Sequence, residues 1–212
     1  MSANLDEDED EYRLQDDTLN ILHQFLADRE RADSEMPSED WQLSQFWYSE
    51  ETINRLVDEA VAALDKNGGR IACISCPSLI PQLLSKKPIL DGRISIKLFE
   101  YDARFMSKFR DVFVQYDYRN PLDVPAELQN SFDLIIVDPP FISEECLVRT
   151  AQTVRLLSKP NDESKILLCT GSVIHELAYR LLKVRLTDFK PTHAKNLANE
   201  FSAYTNYTPL TL

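Results

Sequence analysis

Apolar residues recur at helical spacing near the start of the chain. Leu19, Leu22 and Leu26, alongside Phe25, predict a helix from Asp17 to about Arg31. Residues 32–40 are polar and include Pro37, so a loop is expected there. An aromatic cluster follows, Trp41 and Phe46-Trp47-Tyr48. Ser49 is placed to cap the next helix, with Glu50 and Glu51 in its first turn. Ile53, Leu56, Val57, Ala60, Val61 and Leu64 then make one apolar face, and Gly68-Gly69 is expected to end the helix.

Beyond Gly69 the pattern changes to short apolar runs. Arg70–Ser75, Ile94–Phe99, Asp111–Tyr116, Phe132–Val137 and Lys165–Thr170 read as five strands. Helical segments are predicted between them at about 78–86, 102–109, 143–158 and 172–182. Strand alternating with helix predicts a parallel sheet covered by helices on both faces. Leu182–Phe189 and Phe201–Tyr207 have no convincing helix between them, which predicts an antiparallel pair at one edge. The expected organisation is an acidic disordered tail over 1–14, a helix and loop over 15–40, and one α/β domain over 41–212.

Charge narrows the choice of partner. The formal net charge is −12, from 23 basic and 35 acidic residues, and no basic run occurs. Leaving out the six acidic residues from Asp6 to Glu11 still leaves −6. Proteins that hold nucleic acid neutralise phosphates with clustered Lys and Arg, so nucleic acid is disfavoured and a basic protein partner is easier. No apolar run is long enough to cross a bilayer, and the start of the chain is acidic where a leader is basic. A cytoplasmic protein without a membrane partner is expected, acting as a monomer. Cys73 and Cys76 form a C-x-x-C, but no second ligand pair accompanies them, so no metal site is expected and burial accounts for them better.

In sheets of this kind ligands bind beyond the carboxyl ends of the strands. The fourth strand ends in Asp138-Pro139-Pro140-Phe141. Adjacent prolines lock the backbone and remove two amide donors, leaving a carboxylate, carbonyls and an aromatic face to meet an amino group. Asp138 and the Pro139 carbonyl can accept from one nitrogen while Phe141 faces the charge that develops on it. The second strand ends Glu100-Tyr101-Asp102, where either acid can hold a ribose, and either is equally well explained as a cap of the next helix. Asp117, after the third strand, can accept from an adenine amino group or lie in a solvated loop. The first strand ends Ser75-Cys76-Pro77-Ser78 without a glycine, and no G-x-G exists in the chain, which excludes an ordinary dinucleotide fingerprint and a phosphate loop. Ser75 and Ser78, with the amides after Pro77, are the substitutes at a helix start. Thr170-Gly171-Ser172 reads as a tight turn and cap.

Acceptor contacts are expected from Phe46, Trp47 and Tyr48, although packing explains these aromatics equally well. His193, Asn196, Asn199, Glu200 and Tyr207 crowd a polar stretch near the C-terminus, and each taken singly is also explained as a loop residue.

Several separated blocks together resemble one family. Gln45-Phe46-Trp47-Tyr48, Leu98–Phe105, Asp133–Phe141, Cys169-Thr170-Gly171 and His193–Tyr207 are similar to the eukaryotic elongation factor 1-alpha lysine methyltransferase 1 family, formerly labelled N6-adenine-specific DNA methyltransferases. The resemblance covers about residues 40–212. It implies a seven-stranded class I methyltransferase fold (Rossmann-like), S-adenosylmethionine as donor and a lysine of translation elongation factor 1-alpha as acceptor. It also implies that Asp138–Phe141 orient the acceptor nitrogen. Glu100 or Asp102 would hold the ribose, with Asp117 near the adenine. The alternatives are an N6-adenine nucleic-acid methyltransferase and a docking module that has the fold without the catalysis.

Overall fold

The computed structural model describes residues 18–25, 36–64, 67–161, 163–195 and 200–212. The chain divides into two compact units, residues 1–36 and 37–212. In the first unit residues 18–25 are helical, inside the span predicted from the apolar spacing. The expected tail over 1–14 lies outside the described residues.

The second unit is a sheet with seven described strands in the order β3-β2-β1-β4-β5-β7-β6. They are β1 (Gly69–Ile74), β2 (Ile94–Glu100), β3 (Phe113–Gln115), β4 (Leu134–Val137), β5 (Lys165–Gly171), β6 (Arg185–Leu186) and β7 (Phe201–Thr205). Strands β1 to β5 are parallel; β7 runs antiparallel to both β5 and β6, as the two C-terminal segments predicted. The central strands β4 and β5 are nearly continuous in buried residues because both sheet faces are covered there, while β2 interrupts its apolar run with Ser95 and Lys97.

Helix α1 (Glu50–Leu64) is capped by Ser49, whose hydroxyl accepts from the Thr52 amide at 3.2 Å. It buries Leu56, Val57 and Ala60 completely. Removing a side chain such as Leu56 from water stabilises the fold by about 1.5–3 kcal/mol. Gly68 takes φ 65°, and a Cβ there would stand 2.5 Å from the Arg93 carbonyl oxygen, so only glycine makes this turn into β1. Helices α2 (Ile80–Leu84), α3 (Lys87–Leu90) and α4 (Arg104–Lys108) follow. On one sheet face, α5 (Glu144–Leu157) and α6 (His175–Leu182) pack Leu147, Val154 and Leu182 against Ile74, Ile135 and Leu168. The short α3 and a 3-10 turn at Trp41–Leu43 have no period to announce them.

The parallel order reverses direction between β1 and β4. Connections leave β1 toward β2 on one side, while β4 and β5 extend the sheet on the other. The carboxyl ends of the strands therefore diverge around a crevice at this point.

Candidate active site

A cavity of about 400 Å³ occupies that crevice. Its floor is the end of β1. Ser75 follows the strand with φ 56°, the left-handed conformation that glycine adopts without penalty. Its amide donates to the Phe99 carbonyl at 2.9 Å, and Cys76 then leads into a 3-10 turn, Pro77–Leu79. The sharp turn expected of a glycine loop is thus made by a serine. Ser75, Pro77 and Ser78 all line the cavity.

On the β2–β3 side the walls are Glu100, Tyr101, Asp117, Tyr118 and Arg119. Burial pushes the Glu100 carboxyl up to about 7, against the Asp102 and Tyr101 amides that favour its charge. One oxygen already accepts from the Asp102 amide at 2.9 Å. A buried carboxyl at the cavity wall, with only backbone amides as partners, suits a cis-diol, which brings two O–H groups. Of the two acids expected as alternatives for the ribose, Asp102 is turned away from the cavity. Burial works against its charge, but Arg104 and Gln45 hold it below the usual carboxylate range. Arg104 Nη2 lies 2.7 Å from it, Gln45 Nε2 donates at 3.0 Å, and it is absent from the cavity wall. Asp102 instead accepts from the amide of Arg104, the first residue of α4, at 2.9 Å. Asp117 faces the cavity as expected, held ionised by Arg119 at 2.8 Å.

Across the crevice, β4 delivers Asp138, Pro139, Pro140 and Phe141 to the wall. The Asp138 amide is tied to the Ile74 carbonyl at 3.0 Å, which anchors the turn to β1. Its carboxyl is surrounded by protein except where it meets the cavity. Burial pushes it up to about 7, the Tyr48 hydroxyl opposes this, and the charge of Glu100 adds to it. Phe141 is 38% exposed, with its ring 5.9 Å from that of Tyr118. Gly171 does more than turn the chain. Its φ is −62°, an ordinary value, but a Cβ would stand 2.9 Å from Ile142. The glycine lets Ile142 reach the cavity wall.

The third wall comes from opposite ends of the unit. The strap Gln45–Ser49 and the segment Thr192–Ala194 clasp each other. The Ser49 amide donates to the Thr192 carbonyl at 2.9 Å, and the Ala194 amide to that of Trp47 at 2.8 Å. Phe46, Trp47, His193 and Phe201 line the cavity. The His193 ring lies 4.7 Å from Phe201 and 6.5 Å from Phe46, and burial pushes its imidazole below the ordinary value. Tyr48 stands behind this surface, 3% exposed, with its hydroxyl toward Asp138.

Two other sequence candidates lie elsewhere. Tyr207 is away from the cavity, with Lys165 Nζ 5.2 Å above its ring and its hydroxyl beside Glu59, an α1 carboxylate that anchors the Leu210 and Thr211 amides. Glu200 points to solvent, and its carbonyl serves the Ser172 amide at 3.1 Å. Asn196 and Asn199 lie outside the described residues. Conversely, Tyr118, Arg119, Ile142 and Phe201 enter the wall unannounced, because nothing in their local sequence separates them from packing residues. Gln45, 8% exposed, also lines the cavity, where its amide links the strap to Asp102 and Arg104.

Residues 39–209 match the family model described as probable N6-adenine methyltransferase. The EEF1A lysine methyltransferase 1 of Homo sapiens is 43% identical over 95% of this chain and 94% of its own. This chain belongs to the EEF1A lysine methyltransferase 1 family. A protein-lysine N-methyltransferase of Caenorhabditis elegans is 45% identical over 94% of this chain and 95% of its own, and the Gallus gallus EEF1A lysine methyltransferase 1 is 43% identical over 95% and 97%. The EEF1A lysine methyltransferase 1 family is one of S-adenosylmethionine-dependent protein-lysine N-methyltransferases. Among solved structures, the branched-chain polyamine synthase of Thermus thermophilus shares the fold, with a TM-score of 0.58 at 15% identity over 88% of this chain and 63% of that one.

Proposed function

We propose that this protein methylates the ε-amino group of a lysine in translation elongation factor 1-alpha, using S-adenosylmethionine. The observation that carries the reading is Asp138 in its Asp-Pro-Pro-Phe turn, a half-buried carboxyl facing the same cavity as Glu100 and Asp117. S-adenosylmethionine bound here supplies a methyl group already activated on a sulfonium. The chain's own residues then have three tasks. Glu100 holds the ribose diol and Asp117 the adenine amino group. Asp138 and the Pro139 carbonyl accept hydrogen bonds from the acceptor nitrogen and set the direction of its lone pair, so that donor and acceptor meet in line. Phe46, His193 and Phe201 exclude water from the approach and favour a neutral amine there.

Protein as acceptor is supported by the net charge of −12 and by the exposed apolar residues at the carboxyl end of the sheet, Phe141 and Val173. The sequence offers a duplex no basic run to neutralise its phosphates. The relatives named for EEF1A support the choice of protein. We assign the reaction to the cytoplasm, with a monomer as the working unit.

The test is label transfer from S-adenosylmethionine to purified elongation factor 1-alpha or to DNA. Label on a lysine of the elongation factor is expected. Label on DNA alone would establish the N6-adenine reading, and donor binding without transfer to any acceptor would leave a docking module. Asp138→Ala is expected to lose transfer at least a hundredfold while still binding the donor.

A further inference from the structure

Tyr48 carries a buried hydroxyl that makes no hydrogen bond of acceptable geometry. Such a group is costly to hold away from water, so its place in the fold has to be compensated by something that happens at the site. Burial raises the phenol well above its ordinary acidity range, and the neighbouring charge of Asp138 adds to this. The hydroxyl therefore keeps its proton and can only donate or wait.

The hydroxyl stands beside two groups, the Asp138 carboxyl and the Cys169 thiol, and of these only Asp138 lines the cavity. The titratable groups facing Asp138 are Tyr48 from the strap, Glu100 from β2, Cys76 after β1 and Cys169 in β5. None of these is a cation. Both thiols are pushed upward by burial and stay neutral. Tyr48 is also held firmly. Its backbone pairs with His193 in an isolated antiparallel bridge, and the two rings stand 4.9 Å apart.

We propose that Tyr48 is the positioning residue of the reaction, donating its hydroxyl to one Asp138 oxygen when the acceptor arrives and so turning the other oxygen onto the acceptor nitrogen. The proposal rests on the lysine reading above. The acceptor nitrogen gives up its ammonium proton to water before the transfer and donates one N–H to the free Asp138 oxygen. No proton moves to Asp138, and the nitrogen's electron pair stays turned toward the methyl group. Tyr48 keeps the carboxylate ionised at the pH where this begins.

Tyr48→Phe tests this, since it removes one oxygen and preserves the ring on His193. The variant is expected to bind S-adenosylmethionine as the wild type does and to lose about tenfold in kcat at pH 7. The acid limb of its kcat/KM profile moves about one unit upward, the equivalent of that tenfold loss. A carbon-13 titration of the Asp138 carboxyl, read without any acceptor, is expected to move in the same direction. An unmoved limb with an unmoved titration overturns the proposal. So does a loss of donor affinity that parallels the loss of rate, which would make Tyr48 a packing residue only. If the wild type labels no lysine, the lysine reading fails by itself, and the carboxyl titration still decides whether Tyr48 acts on Asp138.

Discussion

Tyr48 and His193 face each other across an isolated antiparallel bridge, joining residues 145 positions apart with their rings 4.9 Å from one another. The wall of the acceptor side is therefore a seam between the two ends of the unit. Thr52 holds that seam from below. Its hydroxyl oxygen accepts from the Thr192 amide at 2.8 Å, and the Ser49 hydroxyl donates to it at 3.1 Å. Thr52→Val keeps the shape and removes the acceptor. A loss of about 1–2 kcal/mol of stability is expected, the usual cost of an orphaned amide. The KM for the protein acceptor should rise while donor affinity changes little. Denaturant melts and steady-state kinetics check this, and an unchanged KM would disconnect the seam from acceptor binding.

Ser75 supplies a second prediction. At φ 56° a serine is strained by roughly 1 kcal/mol, and glycine is not. Ser75→Gly is expected to match or slightly exceed the wild type in thermal stability. Ser75→Val, branched at Cβ, should melt lower and bind S-adenosylmethionine at least tenfold more weakly. Calorimetry of both variants reads the two effects separately.

The two raised carboxyls make stability depend on pH. Glu100 rises from 4.5 and Asp138 from 3.8, each to about 7. A carboxyl with a folded pKa above its unfolded one contributes stability below the unfolded value, and the contribution is lost as pH climbs toward the folded one. Between about pH 4 and 7 the ligand-free protein should therefore lose stability from both groups. Glu100→Gln should melt higher than wild type at pH 8, by an amount on the order of 2–3 kcal/mol, with the difference vanishing near pH 4. The same variant should bind S-adenosylmethionine at least tenfold more weakly. A variant that melts no higher at pH 8 would show that Glu100 is better solvated than its burial implies.

Gly171 and Ile142 give a paired test. Gly171→Ala brings a methyl group to within 2.9 Å of the Ile142 side chain, so Ile142 must move and the cavity wall with it. Activity is expected to fall by about tenfold, the scale expected when reacting groups are misplaced. Shortening the neighbour, in Gly171→Ala with Ile142→Val, should recover part of the loss. Independent losses in the double variant would mean the two side chains do not meet.

By itself the sequence determined the class of the fold and the centre of the site. Five apolar runs, each followed by a helical period or a turn, are local facts, and right-handed connections leave them little choice of topology. Asp138–Phe141 were legible because two prolines change the backbone wherever they stand. The tertiary structure decided what side-chain spacing cannot carry. It turned Asp102 onto Arg104 and left Glu100 facing the cavity, although the two acids are two residues apart and chemically alike. It took Tyr207 to Glu59, and it made Gly171 a point of close approach to Ile142. Above all it placed Tyr48 behind Asp138 by closing the strap onto His193. Each of these outcomes depends on which atoms meet across long stretches of chain, and a local pattern holds no record of such meetings.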